Sequence, residues 1–153
     1  MKHLFIGSLV VLALAGCKPV MTDPTPNTIS VASTQDFSAT ESSLIDALAS
    51  RNLKLFTVVD HGAGAQSVGA DIGQSKLFIF GNPKAGTPIM AAEPTLGLEL
   101  PMKILLRGNG GTVSLHRTDI AATVRSYGVT EQDGRLSKID ETLTAIMNEA
   151  AGQ

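Results

Sequence analysis

Three short segments hold the side chains of this chain that could do chemistry. In the first, Asp60-His61-Gly62, a titratable imidazole stands beside a run with glycines at 62, 64, 69 and 73. Such a ring can face a ligand closely or act as general acid or base. Asp60 and His61 are adjacent on an expected strand, so their side chains point to opposite faces and do not form a dyad. A ring that anchors the glycine-rich loop through hydrogen bonds accounts for the same residues. The second segment, Gly81-Asn82-Pro83-Lys84-Ala85-Gly86-Thr87, has the glycine spacing of a phosphate loop. Thr87-Pro88 stands where that loop needs lysine, which excludes a nucleoside triphosphatase. Thr87 and free amides at the start of a following turn could still hold a carboxylate or phosphate beside Lys84. A structural turn that closes the sheet edge is the plainer reading of the segment. In the third, Glu99 and Lys103 flank Leu100-Pro101-Met102, where they could line a pocket or pair with each other.

Met90 and Met102 add soft donors. With His61 they would suit copper(I), although methionines also fill gaps in cores. Zinc is poorly served: beyond His3 the histidines are His61 and His116, the one cysteine is Cys17, and no HExxH spacing occurs. No GxSxG or Ser-His-Asp set is present, and the acidic residues are scattered. The pattern calls for no cofactor, no metal and no catalytic set. The candidate pocket is therefore His61, Asn82, Lys84, Thr87, Met90, Glu99 and Lys103.

Elements must position these residues. Ile29 to Ala32 alternates as a first strand. Ser38-Ala39-Thr40-Glu41 fits a capping box, with Leu44, Ile45 and Leu48 at helical spacing, which predicts a helix over 39–51 stopped by Asn52. Leu55 to Asp60 is a strand, 62–74 a loop with one helical turn near 65–68, and Lys76 to Phe80 a central strand. Thr87-Pro88 is a helix-start signal, with short turns expected over 88–98. Lys103 to Arg107 and Thr112 to His116 flank Asn109-Gly110-Gly111, a hairpin signature. Thr118-Asp119 can cap a helix to Ser126, and Leu136, Ile139, Leu143, Ile146 and Met147 mark a C-terminal amphipathic helix. The order β-α-β-β-β-β-α predicts an α+β two-layer sandwich, an antiparallel sheet with helices on one face. In that arrangement the loop 62–75 is long enough to let the second and third strands end on the same rim. His61 would then face Asn82 to Met90 across a shared pocket.

The runs DHGAGA (60–65), LFIFGNPKAGTPIM (77–90) and LELPMK (98–103), in that order, resemble the domain-of-unknown-function family 302 over roughly residues 28–150. The resemblance implies a fold similar to the TATA-binding-protein-like class and suggests dimers. A small sheet also leaves an edge to cover. The family pattern carries Asp-His at 60–61. It more often shows Asp where Glu99 stands.

The N-terminus reads as an export signal. Lys2 supplies the positive charge, Leu4 to Leu14 the apolar stretch, and Leu14-Ala15-Gly16-Cys17 resembles a bacterial lipobox. Residues 1–16 are expected to be removed. Cys17 is expected to carry diacylglycerol and a further, palmitate-type acyl chain, enough for stable membrane anchoring. Residues 17–28, with Pro19, Pro24 and Pro26, then form a tether, and 29–150 the domain. Lys18 in place of Asp points to the outer membrane, facing the periplasm. The net charge of −2, the absence of Trp and the single Tyr give no nucleic-acid footprint. These features favour a lipid-anchored module for a small ligand or a protein partner. An enzyme using His61, or a copper(I) handler using His61 and the methionines, are the competing readings.

Overall fold

The structure is a computed structural model that describes residues 27–130 and 134–153. The signal segment, Cys17 and nearly all of the tether lie outside the described residues. Five strands form one antiparallel sheet in the order β1-β5-β4-β3-β2: β1 is Thr28–Ala32, β2 Lys54–Asp60, β3 Gln74–Gly81, β4 Met102–Asn109 and β5 Thr112–Thr118. The Asn109-Gly110-Gly111 signature makes the β4–β5 turn, with both glycines at positive φ. Among the described residues there are five α-helices: α1 Phe37–Ser50, α2 His61–Ser67, α3 Pro83–Ala92, α4 Ile120–Ser126 and α5 Arg135–Ala150. A 3-10 turn spans Pro94–Leu98 between α3 and β4.

Strand alternation sorts the sheet into two faces. Phe78 and Phe80 on β3, Ile104 and Leu106 on β4 and Leu115 on β5 are all fully buried. Cross-strand pairs such as Phe78↔Ile104 and Leu106↔Leu115 share a face, so these side chains form one layer. Leu44 and Leu48 of α1, Val124 of α4, and Ile146 and Met147 of α5 close over them in a single core. Fully burying each such side chain contributes roughly 1.5–3 kcal/mol. The opposite face carries Leu77, Ile79 and Leu105, only half buried, and Val59 at 40% exposure. This is the two-layer α+β arrangement the sequence predicts.

Local chemistry moves several boundaries. The N-cap of α1 is Asp36, whose Oδ1 accepts from the Ala39 amide at 2.8 Å, so the cap lies two residues before the expected Ser38. Asn52 does end it, with φ +54. Residues 61–67, expected as mostly loop, form α2, capped by the Asp60 carboxylate on the Ala63 amide at 2.8 Å. The helix expected from Pro88 begins at Pro83. Asn82 Oδ1 accepts from the Lys84 amide at 2.9 Å and Pro83 takes the first helical position, leaving Pro88 inside the helix.

Candidate functional site

The pairing of β2 with β3 decides which candidate residues can meet. The two strands run antiparallel, with Lys54 opposite Gly81 and Asp60 opposite Lys76. His61 therefore follows one end of this pair and Asn82 the other, roughly 20 Å apart at the usual rise per residue. The shared pocket expected between His61 and the segment 82–90 does not form. The 62–75 connection is long because α2 occupies half of it, and not because the chain crosses over to a parallel strand.

The rim at His61 is closed by backbone. His61 is the first residue of α2 and is exposed. Gly62 is buried, and a Cβ placed on it would lie 2.8 Å from the Gly73 carbonyl oxygen. Gly73 has φ +73, and its own Cβ would lie 2.7 Å from the Gly108 carbonyl oxygen. A Cβ on Gly108 would in turn meet Phe37 at 2.9 Å. Three glycines thus let three backbone segments pack directly on one another. This packing explains Gly62 and Gly73 of the glycine-rich run after His61, while Gly64 and Gly69 face open space.

The rim at Asn82 is open. A groove of about 450 Å³ lies between the sheet and the helices there. Phe80 and Met102 of the buried sheet face form its floor, and Ile139, Thr142 and Leu143 of α5 form one wall. Gly86, Ile89 and Met90 of α3, with Leu100 and Pro101, also line it. The Leu100–Pro101 peptide is cis. Phe56, 44% exposed on edge strand β2, stands at the mouth, with Lys54 Nζ 5.7 Å from its ring centre. Gly86 adds room: a Cβ there would meet Leu100 Cδ1 at 3.6 Å, an ordinary contact. The volume is that of a small-molecule site, ~300–1,000 Å³, and the walls are mostly apolar, as such sites are.

Of the seven candidate residues, Asn82, Thr87 and Met90 line this groove. Lys84 lies in the first turn of α3 outside its lining. The anion cradle expected from free amides does not form. Asn82 occupies those amides, its side chain taking Lys84 N and its carbonyl taking Ala85 N and Gly86 N at 2.9 and 3.1 Å. Thr87 is one full turn into the helix. Glu99 and Lys103 belong to a separate niche of about 10 Å³, which shares the Met102 and Leu143 side chains with the groove. There Lys103 Nζ donates to the Glu99 carbonyl at 3.0 Å. Tyr127 donates its hydroxyl to Glu99 Oε1 at 2.9 Å, and that bond holds the phenol pKa above its ordinary value. Beside them Arg117, 3% exposed, lies 2.7 Å from Asp140 Oδ1 and donates to Thr144 Oγ1 at 2.9 Å, while its Nε has no hydrogen-bond partner. This niche is a strut tying β5 to α5.

The copper(I) set does not assemble. Met90 and Met102 both reach the groove, but His61 is at the far rim. Among the described residues no three His, Cys, Asp or Glu side chains cluster as metal ligands. Asp60 does not pair with His61, since its carboxylate is engaged in capping α2. The groove also contains residues that the sequence reading passed over. Arg135 and Lys138 of α5 stand in its lining, more than 40 positions from Met90 in the chain. The signal was there: the period of Leu136, Ile139 and Leu143 places 135, 138 and 142 along one flank of the same helix.

The fold and its open rim define an α+β domain with a ligand-sized groove between its layers. The chain belongs to the DUF302 family, described as a domain of unknown function, whose model matches residues 29–150. Its fold is similar to that of a crystal structure of the uncharacterized conserved protein DUF302 from Bacillus stearothermophilus. The TM-score is 0.75 at 15% identity, covering 82% of this chain and 99% of that one. The match takes in almost all of that chain, and in this chain the core from Phe37 to Ala151 is contained within the described residues, as in a domain that folds by itself. Over 61 residues, 40% of this chain, it is 44% identical to fluoride-specific ion channel FluC 1 of Brucella suis biovar 1 and to FluC 1 of Brucella abortus biovar 1. The match spans about a quarter of the length of those proteins, 24% and 23%.

Proposed function

We propose that this DUF302 domain is a small-ligand-binding module, carried at the bacterial cell envelope on a lipid attached to Cys17. The observation that supports binding is the groove of about 450 Å³, open at the Asn82 rim and walled by apolar side chains. The polar groups around it include no nucleophile–base pair among the described residues, which favours binding over catalysis. The lipobox-like Leu14-Ala15-Gly16-Cys17 and the proline-rich tether support the anchor. The segment shared with proteins named as ion channels is in keeping with a place at a membrane.

Native mass spectrometry of protein taken from its own cells tests the binding reading. The expected result is a retained small mass, lost in Ala85→Trp, where an exposed groove residue becomes large enough to fill the mouth. Retention of the same mass by Ala85→Trp would place the ligand elsewhere. For the anchor, Cys17→Ser should move the protein out of the detergent phase, and unchanged partitioning would end that reading. Self-association through the exposed β2 edge is proposed alongside; sedimentation of the lipid-free domain at micromolar concentration should show a dimer, and monomer alone would remove it.

A further inference from the structure

The groove's chemistry narrows its ligand, in an inference that rests on the ligand-binding reading above. Its walls are apolar along their length, from Phe80 and Met102 on the sheet to Ile139 and Leu143 on α5. Its charged lining comes from α5 alone, Arg135 and Lys138, and no Asp or Glu lines it among the described residues. Lys138 is exposed and makes no ion pair among the described residues; the pairs there are Arg51–Glu149, Lys76–Glu41 and Arg117–Asp140. Of the acids near it along α5, Asp140 is turned to Arg117 in the neighbouring niche, and Glu141, at i+3, is exposed and outside the groove lining. Thr87 and Thr142 add hydroxyls to the same lining.

We infer that the groove takes an amphipathic anion. An unbranched apolar chain lies against Phe80, Met102 and Leu143, and a carboxylate or phosphate head meets Lys138 at the mouth. A cationic head would meet like charge there and no acidic partner among the described residues. A neutral head would leave Lys138 without the charge-assisted contact that an anion supplies.

Calorimetric titration of the protein from Asn27 to Gln153 tests this with four probes that share one chain: decanoate, decyl phosphate, decanol and decyltrimethylammonium. The two anions should bind about tenfold tighter than decanol, the usual gain from a hydrogen bond to a charged group. The cation should bind more weakly than decanol. Lys138→Glu should abolish the preference for anions while decanol binding stays, and Lys138→Gln should remove most of it. Decanol binding as tightly as decanoate would overturn the anion while leaving the groove reading intact. No binding by any probe would overturn both. Phosphatidylglycerol vesicles separate a free amphiphile from a lipid surface: binding to vesicles without binding to decanoate would replace the inferred ligand with a membrane.

Discussion

The two rims of the sheet carry the two glycine-rich motifs of this chain and use glycine in opposite ways. At the His61 rim, Gly62, Gly73 and Gly108 let backbone meet backbone with no space for a methyl group. At the Asn82 rim, Gly86 faces open volume, and the nearest atom to a Cβ there would be an ordinary contact away. One motif is consumed in closing the fold and the other leaves a cavity. A glycine-rich run beside a titratable residue thus indicates a close approach, and only the structure says whether the approaching partner is the protein itself or a ligand.

Substitutions at the two rims should separate them. The largest effect is expected from Gly73→Ala. A side chain at φ +73 costs roughly 1–2 kcal/mol, and a Cβ 2.7 Å from a carbonyl oxygen forces the backbone apart for roughly 1–3 kcal/mol more. Urea unfolding should show a loss of about 3 kcal/mol. A loss below about 1 kcal/mol would mean that the closed rim is softer than its contacts imply. Gly86→Ala should do the reverse. Alanine in a helix interior is favoured over glycine by about 0.5–1 kcal/mol, so stability should rise while groove binding weakens. Destabilisation by Gly86→Ala would erase the contrast between the rims. His61→Ala, at an exposed position, should change stability by less than about 0.5 kcal/mol and leave decanoate binding unchanged.

The smallest effect concerns the niche beside the groove. Tyr127 donates to Glu99, and its folded-state pKa is raised, so the protonated phenol is favoured by folding. That contribution is fully present below the unfolded tyrosine value near pH 10 and is lost as pH rises through the folded value. The stability difference between wild type and Tyr127→Phe should therefore shrink in strongly alkaline solution. A difference that stays constant through that range would show that the hydroxyl contributes by packing rather than by its proton.

Much of the fold was legible because it rests on local periodicity. The alternating Ile29 to Ala32 of β1, the apolar run of β3, the Leu-Ile-Leu spacing of α5 and the Asn109-Gly110-Gly111 turn each appear in the structure as the elements they predict. Boundaries moved where two caps competed. Asp36 outreaches Ser38 at α1, and Asn82-Pro83 precedes Thr87-Pro88 at α3, both pairs being valid start signals in sequence. The site was half legible. Asn82, Thr87 and Met90 do line one groove, but His61 was placed by assuming a same-rim arrangement that the β2–β3 register overrules. Arg135 and Lys138 were missed because their proximity to α3 is tertiary, created when α5 packs across the sheet.

The proposed binding surface lies at the Asn82 rim. Amide chemical-shift mapping of the protein from Asn27 to Gln153 during titration with decanoate tests it most directly. Saturable shifts are expected at Phe56, Gly86, Met90, Met102 and Ile139, with His61 to Gly64 unmoved. Shifts concentrated at His61 to Gly64, or none that saturate at the groove, would contradict it.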